Sequence, residues 1–341
     1  MSNIIIYGFQ FPHHGSNSAF IPFKKEMISR SIPVCEFAYP KLPKFRPKRI
    51  RDIFVKQWYR INELRIKSAF ESGKTVHYFF PENSLYEGGS WRDCTNSRLI
   101  LTCHQPASRI INAREGLLKA MKVADKIVLM APTEIQAYSE VLSHDRISFV
   151  PYGVDSNFFT PLSKINDEKN KQRSILTIGN WMRDYKVWAE TVDIIESVSD
   201  NITFTVIANS STLNRVRSYN FKSRPNVRYL VNISDKQLLS EYRSADILFL
   251  PLKNALANTA LLEGMACGCT IVITDLPATR AYGKDAVCYI EKCSSTAASN
   301  QILSLLSNIP FTRSLGAKAR SVAEREYTWS KIAYMYVNNI Y

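Results

Sequence analysis

The chain has 341 residues, 45% of them hydrophobic and 22% charged, and its 44 Lys and Arg against 30 Asp and Glu leave a formal net charge of +14. That length has room for two domains with cores of their own, and the composition excludes a disordered chain, a collagen, a coiled coil and a disulfide-stapled miniprotein. No apolar run approaches the ~18–20 residues that a bilayer span needs. The Met-Ser-Asn start before Ile4-Ile5-Ile6 has neither the basic flank nor the apolar length of a secretory signal, so the expected location is the cytoplasm. Seven cysteines, odd in number and without a C-x-x-C pair, fit reduced thiols and suggest no zinc site.

Short runs rich in Ile, Val, Phe and Tyr alternate with segments of helical period, the pattern of parallel βαβ units, and they form two series. The first predicts strands at residues 4–7, 34–38, 75–80, 98–103, 126–130 and 147–151. The second predicts strands at 174–179, 202–208, 226–230, 246–250, 270–274 and 286–290. The polar stretch between them, with Asp167, Glu168, Lys169, Asn170 and Lys171 and no apolar periodicity, reads as a linker. The expected division is a first domain over residues 1–160, a linker over 161–173, a second domain over 174–325 and a last helix over 326–341. Open α/β sheets bind ligands beyond the carboxyl ends of their strands, so function is expected in the loops there and in a cleft between the two domains.

The positive charge is local. Residues 41–74 hold eleven Lys and Arg (Lys41, Lys44, Arg46, Lys48, Arg49, Arg51, Lys56, Arg60, Arg65, Lys67 and Lys74) against Asp52, Glu63 and Glu71, a balance of 11 − 3 = +8. Ile50, Ile53, Phe54, Trp58, Ile61 and Leu64 recur at helical spacing, while Arg51, Lys56, Arg60 and Lys67 fall on other faces. The expectation is a basic amphipathic helix whose apolar stripe packs on the first sheet, leaving Lys56, Arg60 and Lys67 to meet an anionic membrane, an anionic glycan or only water. No recognition motif for nucleic acid accompanies the charge.

The most specific segment is Leu250 to Asp275: a strand, a loop to Asn258 and Thr259, a small-residue helix containing Glu263, and a second strand, Thr270 to Thr274. A helix N-terminus offers unpaired N–H groups and the positive end of its dipole, a setting for phosphate. The string Leu261 to Asp275 closely resembles the signature of family 4 glycosyltransferases (glycosyl transferases group 1) of the GT-B fold. Three further segments resemble that family in the same order: Val150 to Asp155 with Phe158 and Pro161, Leu239 to Pro251, and Glu326 to Tyr341. The likeness covers most of residues 98–341.

The resemblance implies an α/β GT-B protein with two Rossmann-like domains whose parallel sheets face across a cleft, of the exopolysaccharide or lipid-linked glycan type. It implies transfer from a nucleotide-diphosphate sugar with retention, without metal and with no cofactor beyond the donor. Glu263 would then bind the ribose, the amides near Asn258 and Thr259 the diphosphate, and Lys186 the diphosphate as well. The family's Arg falls here on Asn180, with Arg183 nearby as a substitute, and its sugar-contacting Glu falls on Ala255. In the first domain His104, in Thr102-Cys103-His104-Gln105-Pro106, matches the family's His beside the reacting centre, and Gly15 matches a turn that approaches the diphosphate. Glu82 and Asn83 sit at another strand end and are candidates for the acceptor side or for a polar turn. The pair His13-His14 reads as loop, since adjacent residues are poor joint ligands. No D-x-D pair, Walker A motif, G-x-S-x-G elbow or H-E-x-x-H is present. The losses at Ala255 and Asn180 leave a second expectation, a catalytically degenerate GT-B protein that binds a sugar nucleotide or glycan.

Overall fold

The structure is a computed structural model that describes residues 3–8, 15–18, 20–37, 47–83, 96–110, 115–162, 172–219 and 224–341. His13, His14, Lys41, Lys44, Arg46, most of the expected linker and the side chains of Lys48 and Asn83 lie outside that description.

In chain order the elements are β1 (Ile4–Gly8), α1 (Phe20–Ser29), β2 (Val34–Glu36), α2 (Lys48–Glu71), β3 (Thr75–Phe79), β4 (Arg98–Cys103), α3 (Ala107–Ile110), α4 (Glu115–Val123), β5 (Lys126–Leu129), α5 (Ile135–Ser139) and β6 (Ile147–Phe149). They continue with β7 (Arg173–Ile178), α6 (Tyr185–Glu196), β8 (Ile202–Ile207), α7 (Ser210–Ser218), β9 (Val227–Leu230), α8 (Asp235–Ser244), β10 (Ile247–Leu250), α9 (Thr259–Ala266), β11 (Thr270–Thr274), α10 (Pro277–Gly283) and β12 (Cys288–Ile290). The chain ends in α11 (Ser295–Ser307), α12 (Ile309–Glu326), α13 (Trp329–Met335) and a π turn, Tyr336–Ile340. All twelve predicted strands are present, with ends within two residues of the expected ones.

Two compact units result, one of Met1–Tyr152 with Trp329–Tyr341 and one of Gly153–Thr328. The second begins ahead of the expected linker because Thr160 is already fastened to it: Arg243 Nε donates to the Thr160 carbonyl at 2.7 Å, and Arg320 Nη1 donates to the Phe159 carbonyl at 2.7 Å. Each unit has a six-stranded parallel sheet, ordered β2-β1-β3-β4-β5-β6 in the first and β12-β11-β10-β7-β8-β9 in the second. Parallel strands covered on both faces read as continuous apolar runs. Accordingly every residue of β10 and β11 is buried.

In the second unit most helices start on side-chain caps, α10 after Leu276 being an exception. Asp184, Asn209, Asn258, Ser294 and Asn308 each accept an N–H of their own first turn, and Ser234 with Gln237 forms a capping box. Helix α9 ends in a Schellman motif: Cys269 N–H bonds the Gly264 carbonyl at 2.9 Å and Gly268 N–H bonds that of Met265 at 3.0 Å, with Gly268 left-handed at φ 71°. The Gly268 backbone lies directly on Gly316 of α12, so close that a Cβ at Gly316 would overlap the Gly268 carbonyl oxygen.

In the first unit the last segment is fastened by a buried polar chain. His77, fully buried on β3, pairs Nδ1 with the Tyr341 hydroxyl at 2.6 Å and Nε2 with Thr102 Oγ1 at 2.7 Å, and Thr102 in turn meets the Tyr336 hydroxyl at 3.1 Å. Burial pushes the His77 imidazole down to about 3, so the ring is neutral and one nitrogen donates while the other accepts. Arg98 Nη1 donates to the Tyr341 carbonyl at 2.7 Å, and Phe23 of α1 packs against Trp329 and Tyr336.

Helix α2 corrects one expectation. It does not lay Ile50, Ile53, Phe54, Ile61 and Leu64 on the sheet. Those residues are exposed, Ile53 by 61% and Leu64 by 65%, whereas Tyr59, Asn62, Ile66 and Phe70 are buried. The buried positions recur at three, four and four residues on the side of the helix opposite the exposed stripe. The helix thus carries two apolar faces, and the one with the larger aromatic content is taken by the core.

Substituting Gly316→Ala is expected to destabilise the second unit by at least ~1–3 kcal/mol, since backbone meets backbone and no side chain can yield. Urea unfolding followed by circular dichroism measures it; an unchanged midpoint contradicts the contact.

Candidate functional site

At the carboxyl end of the second sheet two loops are stitched together. Asp184 N–H bonds the Pro251 carbonyl at 2.9 Å and Lys253 N–H bonds that of Met182 at 2.9 Å. Between them the Arg183 side chain runs back across the loop that leaves β7. Its Nε donates to the Ile178 carbonyl at 2.6 Å, Nη1 to the Trp181 carbonyl at 3.3 Å and Nη2 to Asn258 Oδ1 at 3.3 Å. Gly179 permits this path: it is left-handed at φ 114°, and a Cβ there would stand 2.7 Å from Arg183 Nη2. The side chain is half-buried, and desolvation lowers the proton affinity of its guanidinium. Among the described residues no carboxylate pairs with it. A half-buried cation held only by carbonyl and amide oxygens keeps a positive charge that solvent compensates only in part and that an anion would relieve.

Asn258 links this cation to α9. Its Oδ1 also accepts the Leu261 N–H at 3.2 Å, so one side chain caps the helix and holds Arg183 at the helix N-terminus. Thr259 follows at the first helical position, exposed. Glu263 lies one turn further and is buried, with Oε2 accepting the Tyr242 hydroxyl at 2.8 Å. Tyr242 comes from α8, and burial together with the Glu263 charge pushes its phenol well above the ordinary value, so it stays a donor. Sequence reasoning missed Tyr242, although it lies inside the motif-bearing stretch Leu239 to Pro251; a fully buried Tyr needs a partner for its hydroxyl, and that was the available signal.

The other expected donor residues are placed differently. Lys186 sits in the first turn of α6, 71% exposed, with Nζ 3.9 Å from Glu190 Oε1. Asn180, where the family pattern has Arg, accepts the Asn209 N–H at 2.6 Å and so braces the β8–α7 connection. Ala255 is buried, with its N–H on Asn254 Oδ1.

The first unit gathers a second cluster. Beyond β3, Phe80 is left-handed at φ 74° and leads into the single turn Pro81–Asn83, while His104 follows β4 directly. Glu82 Oε1 accepts the His104 N–H at 2.7 Å, and the His104 imidazole stacks on Phe80 with centroids 4.0 Å apart. Burial pushes the Glu82 carboxyl up to about 7, against the lowering effect of the N–H groups of Glu82 and His104. Gly15 is half-buried, with its carbonyl accepting the Ser18 N–H at 3.4 Å. Among the described residues no three His, Cys, Asp or Glu side chains are grouped to hold a metal ion, and no helix is long and apolar enough to cross a membrane.

Two Rossmann-like units of parallel strands, each with polar residues collected at its strand ends, are the α/β architecture of the GT-B fold. Residues 172–308 match the family described as Glycosyl transferases group 1. The phosphatidyl-myo-inositol mannosyltransferase of Mycobacterium tuberculosis H37Rv is 22% identical over 248 residues, 69% of this chain and 65% of that protein, so the match spans just under two thirds of the relative's length. Among solved structures, the sucrose-phosphate synthase of Thermosynechococcus elongatus superposes with a TM-score of 0.73 at 16% identity, covering 97% of this chain and 96% of that one. Anabaena HepE in complex with UDP and glucose gives 0.72 at 10% identity, with 99% and 98% covered.

Replacing Asn258 by Ala removes the cap and the Arg183 contact together. The expected loss is ~0.5–2 kcal/mol in a urea or thermal unfolding experiment, larger than for the exposed Thr259→Ala; equal effects contradict the capping role.

Proposed function

We propose that this protein is a glycosyltransferase that moves a sugar from a nucleotide-diphosphate donor to a glycan or lipid-linked saccharide, with retention and without a metal ion. The observation that carries the reading is the half-buried, carboxylate-free guanidinium of Arg183 held at the N-terminus of α9 one turn from the buried Glu263. A diphosphate supplies the missing negative charge, and the first-turn amides at Thr259 and Ala260 supply donors aligned with the helix dipole. Glu263, with one oxygen engaged by Tyr242, is oriented to accept from a ribose hydroxyl. Lys186 on the exposed turn of α6 is free to swing toward the phosphates, and the two cations together stabilise the charge that grows on the departing diphosphate. His104 belongs to the reacting centre in this reading. The complexes of HepE with UDP and glucose and the mannosyltransferase relative support the reaction class.

The exposed face of α2 favours an acceptor at an anionic membrane. Ile50, Ile53, Phe54, Ile61 and Leu64 form one stripe. On the helical wheel Arg49, Lys56, Arg60 and Lys67 lie along one edge of it and Arg51 and Arg65 along the other. Each aliphatic side chain moved from water into lipid is worth up to ~1.5–3 kcal/mol, against ~1 kcal/mol for a cation near anionic headgroups. The apolar term is therefore the larger one and is not screened by salt.

Two experiments test this. Calorimetric titration with a panel of nucleoside diphosphates and nucleotide sugars should find a binder, and Glu263→Ala or Arg183→Ala should weaken it about tenfold to 150-fold, the worth of one charge-assisted hydrogen bond. Equal affinity in both variants overturns the site, and binding without turnover with every acceptor points instead to a non-catalytic sugar-nucleotide binder, as Ala255 and Asn180 would allow. In flotation with phosphatidylglycerol vesicles, Ile53→Asp with Leu64→Asp should abolish binding at every salt concentration, whereas Lys56→Ala with Lys67→Ala should weaken it only at low salt. Vesicle binding unchanged by the first pair defeats the membrane reading.

A further inference from the structure

The turn after β3 is costly in two ways. Phe80 adopts a left-handed backbone that an aromatic residue disfavours, and Glu82, whose side chain is 4% exposed, has Oε2 buried without a hydrogen-bond partner among the described residues. Strain and an unsatisfied carboxyl oxygen in the same turn mark a functional constraint rather than a packing solution. What they achieve is a seat for His104. The imidazole stacks on Phe80 with 29° between the planes, Phe79 lies 4.8 Å away and Tyr152 meets the ring edge-on at 6.0 Å. Along the ring edge, Glu82 Oε1 stands 3.7 Å from Nδ1 while it accepts the backbone N–H of the same residue. A movement of about 1 Å brings the two side chains to hydrogen-bonding distance.

We infer that Glu82 is a positioning residue for His104: it holds the imidazole through the backbone N–H and Nδ1, and so sets whether Nε2, which is buried in this structure, is a hydrogen-bond acceptor or donor once a sugar hydroxyl reaches it. With Glu82 ionised, Nδ1 carries the proton and Nε2 is an acceptor; with Glu82 protonated, its O–H donates to Nδ1 and Nε2–H is the donor. The sugar-directed half of this inference rests on the placement of His104 at the reacting centre. The surroundings support a carboxyl that changes state near neutrality. Among the described residues the groups that face it, Tyr78 of β3, Cys103 of β4, Tyr138 of α5 and His104 itself, include no permanent cation, and burial pushes Glu82 up to about 7.

The test is nitrogen NMR of labelled histidine in the ligand-free protein, comparing wild type with Glu82→Gln, which keeps an acceptor for the His104 N–H. The His104 resonances of wild type should show an inflection near pH 7 and an Nδ1–H tautomer above it, and Glu82→Gln should lose that inflection. If the variant does not fold, the wild-type titration alone decides, because a His104 ring blind to any ionisation near pH 7 overturns the coupling. Identical His104 titrations in wild type and Glu82→Gln overturn it as well. This readout does not depend on transferase activity, so it separates failure of the pair from failure of the proposed reaction. Given turnover, the pH profile of kcat/KM should carry the same inflection in wild type and lack it in Glu82→Gln; a profile retained in the variant removes the sugar-directed role. The stability difference has a fixed sign too. The folded carboxyl holds its proton longer than the unfolded one, so wild type loses stability relative to Glu82→Gln as pH rises from 4.5 through 7.

Discussion

Because every paired strand in both sheets runs parallel, each new strand has to be reached by a crossover that returns the chain to its starting end, and the loops that leave the strands collect along one edge of each sheet. This constraint brings Gly179, Arg183, Pro251 and Asn258 together although some 70 residues separate the first two from the last two. In the first unit it brings Glu82 to His104. The cross-strand connections at these edges are made by side chains and loop backbone, since the sheet hydrogen bonds have stopped by then, and the polar residues there answer to one another instead of to a ladder.

What the sequence could announce follows from the same physics. Strands buried on both faces are continuous apolar runs, and all twelve were readable for that reason. Helix α2 was misread because a period of 3.6 identifies a stripe without saying which of two opposed stripes meets the core; Tyr59, Ile66 and Phe70 prevailed over Ile53 and Leu64. Glu263 and Asn258 were legible through their local motif and cap position. Tyr242 was not, because its partner lies 21 residues away on another helix. Nor was the state of Arg183: partial burial without a carboxylate is a property of the packed loops, invisible in a list of charges. The boundary at Tyr152–Gly153 was hidden in the same way, by arginine contacts at Phe159 and Thr160 that polar composition cannot forecast.

The departure at Asn180 also acquires a physical account. Its amide oxygen is committed to the Asn209 N–H, which caps the connection to α7, while the positive charge is carried three residues later by a side chain that bends back over a glycine. In the proposed donor site, charge and brace would be divided between two residues. A guanidinium fixed by three protein acceptors is also less mobile than one on an open loop, so less side-chain freedom remains to be lost when an anion arrives.

The contact between Gly268 and Gly316 has a consequence for motion. Helix α9 carries Glu263 and ends in the turn that rests on α12, backbone against backbone, with no side chain between them to act as a cushion. A helix seated in this manner has few ways to open alone, so its local opening should merge with the opening of the unit around it. Amide exchange along α9 should then be as slow as in the central strands, and the carboxylate it bears should remain ordered until the second unit itself melts.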